Sequence, residues 1–160
     1  LICPAAIGHQ ARILEEIPML SPFWRSWFYG WCAAMVLFAL LVAGGALEAT
    51  DAPFRLMLDL VGAGEPIALT PALRFSTGVL GGVFLGWIVS LTFTLRIAMA
   101  MGSTGRPLWA ASTLGLGAWY VVDSTLSVAT GFGLNVLPNT LALALFLIGL
   151  FCSGVLRPKP

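Results

Sequence analysis

Charge is what this chain has least of. Asp, Glu, Lys and Arg make up 9% of its 160 residues, against roughly a quarter in soluble domains. Histidine is nearly absent too: His9 stands alone, ahead of the first apolar run, so paired imidazoles for a b-type haem, or a histidine ligand for chlorophyll, are excluded. The one lysine, Lys159, lies at the tail, which rules out a retinal Schiff base within a helix. No HExxH, GxSxG, P-loop or carboxylate–histidine motif occurs. Cys3, Cys32 and Cys152 are too scattered for a CxxC site or a disulfide framework. A net charge of +1 without a Lys/Arg cluster gives nucleic acid no footing. Enzyme chemistry would rest on Asp123 and a few hydroxyls, so a non-enzyme is expected. No cofactor is expected either, beyond a lipid or pigment held without histidine.

What remains is apolar: 59% of residues are hydrophobic and the mean hydropathy is +0.95. A hydrocarbon core of about 30 Å needs about 20 helical residues, and four windows qualify. They run from about Ser26 to Leu47, Phe75 to Met101, Leu108 to Thr130 and Leu137 to Leu156. Without water, such runs must coil or close into a barrel, and none shows the alternation of barrel strands. The expected fold is therefore all-α, an integral membrane bundle of four transmembrane helices in a single domain. The first run is long and flanked by Arg25, which marks a span and not a signal peptide.

The boundaries carry their own signals. Thr70-Pro71 reads as an N-cap followed by a first-turn proline, and Arg106-Pro107 and Pro138 open the third and fourth helices in the same way. Trp24, Trp27, Phe28, Tyr29 and Trp31 cluster at one end of the first span, which places that end at an interface. Arg12, Arg25, Arg96, Arg106, Arg157 and Lys159 fall on one side, and only Arg55 and Arg74 on the other. That asymmetry predicts cytoplasmic termini. The loop 48–74 and the turn from Gly131 to Val136 then face outward. Within the loop, Asp51 to Gly62 reads as a short amphipathic helix with an acidic cap, presenting Phe54, Met57, Leu58 and Val61 on one face. Ile7 to Met19 is a second surface-helix candidate.

Gly78, Gly82 and Gly86 recur every four residues, a spacing that lets another backbone approach closely, within the bundle or on a neighbouring subunit. Ala111, Gly115 and Ala118, with Ser112, are the candidate matching stripe. Asp123 is the lone acid inside a span, with Tyr120 nearby; a carboxylate at depth must face the interior and find partners. Arg74, Asn135 and Asn139 are the candidates on its side. The bland reading is a structural hydrogen-bond hub, and the alternative is a ligand or proton site. Arg96 lies close enough to a helix end for its side chain to snorkel, and Trp87 and Trp119 are expected to pack.

The runs Leu73 to Trp87, Ala118 to Ser124 and Asn135 to Asn139 resemble the small bacterial four-helix membrane proteins of DoxX-like type. The likeness covers about 74–150. It implies a four-helix topology in a bacterial inner membrane and draws attention to Arg74, Asp123, Asn135 and Asn139 without assigning them an activity. Two functions compete. One is a non-catalytic accessory subunit of a larger respiratory or photosynthetic assembly, in contact with other membrane subunits and lipids. The other is a binding or transport module for a small polar molecule or proton near Asp123.

Overall fold

Because an apolar run cannot leave its peptide groups unsatisfied, each one coils, and proline sets where coiling begins. A computed structural model describes residues 20–62 and 67–156, and among these the regular structure is entirely helical. Helix α1 spans Pro22–Gly44, α2 Ala52–Val61, α3 Pro71–Met101, α4 Arg106–Ala129 and α5 Val136–Cys152, with 3₁₀ turns at Gly102–Gly105 and Gly133–Asn135. The Ile7 to Met19 candidate, Glu65, Arg157 and Lys159 lie outside the described residues. Thr70 caps α3, its hydroxyl accepting from the Leu73 N–H at 3.3 Å.

Three helical stretches are long and apolar enough to cross a membrane: Pro22–Gly44, Pro71–Ala129 and Gly133–Cys152. The second, of 59 residues, contains α3 and α4. Gly102 makes their reversal possible, since its φ of 57° lies in the region that side chains resist. Trp87 of α3 then comes beside Trp119 of α4, ring centroids 6.3 Å apart. Phe28 of α1 meets Trp109 at 4.8 Å and Phe146 at 5.8 Å, so the start of α1 lies with the start of α4 and the end of α5. The long helices thus alternate in direction around a ring, in the order α1, α3, α4, α5. One end carries α2 and the Gly133–Asn135 turn; the other carries the tryptophans of early α1. Helix α2 buries Phe54 and half-buries Met57, Leu58 and Val61, the face expected of it.

Two kinds of contact hold the ring. Between α1 and α3 the backbones nearly touch: a Cβ on Gly81 would land on the Ala43 backbone, and one on Gly78 would come within 3.1 Å of the Ala46 methyl. Between α1 and α5, Trp27 Nε1–H donates to the Leu145 carbonyl at 3.0 Å and Trp31 Nε1–H to the Ala142 carbonyl at 2.8 Å. Gly149 makes room for Trp27, whose Cδ1 would lie 2.8 Å from any Cβ there. Phe28, Trp31 and Trp109 are consequently buried, so part of the aromatic cluster expected at an interface turns inward. The rest of the surface is apolar, with Leu37 67%, Phe75 73% and Leu114 74% exposed.

The glycine stripe needs correction. Gly78 meets α1, but Gly82, Gly86 and Gly115 have open space where a Cβ would stand, and Ala111 and Ala118 are exposed. Four residues advance 400°, so each step drifts about 40° and two steps carry the row off the seam. The buried face of α3 instead follows Thr77, Gly81, Ile88, Leu91, Leu95 and Ala98. Only Ser112 of the proposed α4 partner stripe is buried.

These placements make opposite predictions for neighbouring glycines. Gly81→Ala should cost about 1–3 kcal/mol through overpacking, whereas Gly82→Ala should be neutral or stabilise by up to ~1 kcal/mol through helix propensity. Thermal unfolding in mild detergent, followed by tryptophan fluorescence, measures both, and equal effects would contradict this seam.

Candidate functional site

Positions 123, 124 and 127 fall on one face of a helix by their spacing of three and four. On α4 they turn Asp123, Ser124 and Ser127 toward α5, with both serines buried. Asn139, in the first turn of α5 and 5% exposed, donates through Nδ2 to Asp123 Oδ2 at 2.5 Å and to Ser124 Oγ at 3.4 Å. Asn135, in the turn between these helices, donates from Nδ2 to Ser127 Oγ at 3.0 Å and to Asp123 Oδ2 at 3.3 Å. Two amides therefore converge on one carboxylate oxygen, and among the described residues no cation pairs with it. The cluster closes the α4–α5 hairpin and leaves the carboxylate half-buried.

Arg74 and Tyr120 stand elsewhere. The Tyr120 hydroxyl meets Thr140 Oγ1 at 3.0 Å. Arg74 pairs with Asp51 at 2.8 Å, lies 3.8 Å from Glu48 and donates to the Gly45 carbonyl at 3.4 Å. Asp51 also pairs with Arg55 at 2.9 Å and makes no side-chain cap to α2. The expected cap gave way because the guanidinium of Arg74, fixed at the mouth of α3, offers a charged donor, a stronger partner than a backbone N–H. This staple ties the loop to two helices, and the sequence hint to it was an acid and an arginine both flanking the same loop.

A second feature adjoins the Asp123 cluster. Between α1 and α5, beyond the indole contacts, opens an apolar cleft of about 580 Å³, with Phe84 of α3 and Trp119 of α4 in its lining. Among the described residues no charged side chain lines it; Asn139 and Ser26 are the polar members. Asn139 thus belongs to both features. Nothing in the sequence pattern marked the cleft, because its walls come from residues that are unremarkable singly, such as Gly30 and Ala142.

No group of three or more His, Cys, Asp or Glu able to hold a metal occurs among the described residues. No protein-family model matches the chain, and no curated protein or solved structure matches it.

The loop staple carries a pH signature. The hydrogen bond from Arg55 chiefly, and that from Arg74 after it, hold the Asp51 carboxyl below its ordinary value of 3.8, against the opposing effect of burial. A depressed carboxyl contributes stability that is complete above its ordinary value and lost as pH falls through the lowered one. Acidification from about pH 5 to about pH 2 should therefore lower the melting temperature in detergent, and Asp51→Asn should flatten part of that slope. An unchanged slope would remove Asp51 from the effect.

Proposed function

We propose that this chain is a four-pass protein of a bacterial inner membrane, with cytoplasmic termini, that serves as a non-catalytic subunit of a larger membrane assembly such as a respiratory or photosynthetic complex. The reading rests on one observation above all: Gly82, Gly86 and Gly115 lie on outward helix faces with open space above them. Glycine inside a helix costs about 1 kcal/mol relative to alanine, and small residues on an outward face are the surface on which another transmembrane helix packs closely. The exposed coat of Leu, Val and Phe supports insertion, because in water apolar surface on this scale would drive association. The resemblance to DoxX-like proteins belongs to the same proposal.

Purification of the full chain from its native membrane in mild detergent tests it. The expected product is a particle much larger than the 16.9 kDa chain, lost in a Gly82→Leu, Gly86→Leu variant whose own melting temperature is unchanged. A lone small protein would overturn the assembly.

A second reading, a binding or transport module near Asp123, is favoured by the junction of cluster and cleft at Asn139. Asp123→Asn keeps an acceptor for Asn135 and Asn139 but removes the charge. If Asp123 serves a ligand or proton, the variant should fold and assemble while losing binding or proton-coupled activity in reconstituted vesicles. Loss of the folded protein would instead make Asp123 a structural hub.

A further inference from the structure

We propose that the cleft between α1 and α5 binds an uncharged, chain-like amphiphile with a hydroxyl headgroup, a fatty or isoprenoid alcohol, whose hydroxyl donates to Asn139 Oδ1. This rests on the second reading, and names the class of ligand for that site.

Three observations select this chemistry. The first is polarity. Asn139 turns its Nδ2 toward the cluster, and both hydrogen bonds it makes among the described residues, to Asp123 Oδ2 and Ser124 Oγ, run through that nitrogen. Its carbonyl oxygen is left as an uncommitted acceptor on a side chain that lines the cleft and is 5% exposed. An acceptor with a carboxylate directly behind it selects a donor and repels an anion.

The second is charge. With no charged side chain among the described residues of the lining, neither a phosphate nor an ammonium headgroup finds a counter-ion there, and burying either without one is costly. A hydroxyl needs one acceptor and is satisfied by Asn139.

The third is shape. Along α1 the cleft runs from Ser26 to Phe38, about 18 Å at 1.5 Å per residue, and its volume of about 580 Å³ falls within the roughly 300–1,000 Å³ of small-molecule sites. A long, narrow apolar trough with an acceptor at one side fits an extended chain with its headgroup at Asn139.

The cleft can be filled without touching the polar cluster. Gly30 lines it, and a Cβ there meets nothing within 4 Å, so Gly30→Leu should fold and occupy the trough. Trp27, Trp31 and Trp119 line it as well and report on its contents.

The test is quenching of tryptophan fluorescence in phosphatidylcholine nanodiscs carrying the full chain and a dibrominated octadecanol. The controls are the dibrominated octadecyl methyl ether, which lacks only the donor, and dibrominated phosphatidylcholine. Saturable quenching by the alcohol at a concentration about tenfold below that of the ether is expected, with loss of the saturable part in Gly30→Leu. In Asn139→Ala, with the fold checked by melting, the alcohol should fall to the level of the ether. Relief by unlabelled farnesol at lower concentration than by oleyl alcohol would identify an isoprenoid chain, and the reverse an acyl chain. Equal quenching by alcohol and ether would overturn the headgroup and leave the site standing. Quenching unchanged in Gly30→Leu, or no stronger than that by brominated phosphatidylcholine, would overturn the site itself.

Discussion

Everything in this bundle depends on how closely α1 approaches α3. In the bilayer proposed for this chain, a leucine between two helices gains little over a leucine facing lipid, so association there comes from dispersion at short range and from polar contacts. The Ala43–Gly81 contact supplies the first by bringing backbone against backbone, and the Ala46 methyl, just past α1, adds to it against Gly78. With that seam set, Gly45 and Gly44 lie at the mouth of α3, within reach of the Arg74 guanidinium and the Thr50 hydroxyl, which bonds the Gly44 carbonyl at 2.8 Å. The loop staple is thus a consequence of the seam. It needs no separate anchoring, because the same helix pair that brings the small residues together also brings Asp51 to Arg74.

The opposite side of α1 uses a different solution. Trp27 and Trp31 extend a long side chain to reach α5 and deliver a hydrogen bond at its end. Such bonds between apolar helices are worth about 1 kcal/mol each, and they hold α5 off by the depth of an indole. A helix held at the α3 seam by methyl-sized contacts and at the α5 side by tryptophans leaves a gap alongside the indoles, which form part of its wall. The cleft occupies that gap. It follows from the mismatch in side-chain size between the two faces of α1, and its walls are apolar because the whole neighbourhood is.

The sequence made the elements legible and their faces far less so. Prolines 71, 107 and 138 and the threonine at 70 located helix starts because their physics is local: a missing N–H or a capping oxygen acts within one turn. The inward face of α2 was equally readable, since Phe54, Met57, Leu58 and Val61 recur at helical spacing while Arg55 and Asp59 fall on the other side. Rotation of α3 was not readable. Apolar residues surround it on every side, so no moment distinguishes inside from outside, and the glycine spacing of four pointed to Gly82 where the packed glycine is Gly81, about 100° away around the helix. Asp123 with Asn135 and Asn139 could be foreseen because polar groups in an apolar run have few partners to choose from. Arg74 could not, because Glu48, Asp51, Asp59, Glu65 and Asp123 all lay on its side of the chain and only the closeness of α1 to α3 decided for Asp51.

Asn139 is where these threads meet, and its geometry explains why an asparagine suits the position. An aspartate there would set a second carboxylate against Asp123, and a leucine would leave that carboxylate with Asn135 alone, at 3.3 Å. A serine would be too short to bridge from α5 to both Asp123 and Ser124. The amide does what none of these can: it presents two donors on one side and an acceptor on the other. Its donor side is spent on closing the α4–α5 hairpin, which leaves the acceptor oxygen uncommitted on a side chain that also lines the cleft. A residue conscripted for folding therefore leaves a polar atom in an apolar trough. Such an atom goes unsatisfied unless something brings it a proton to share, and that makes the cleft more than a packing defect.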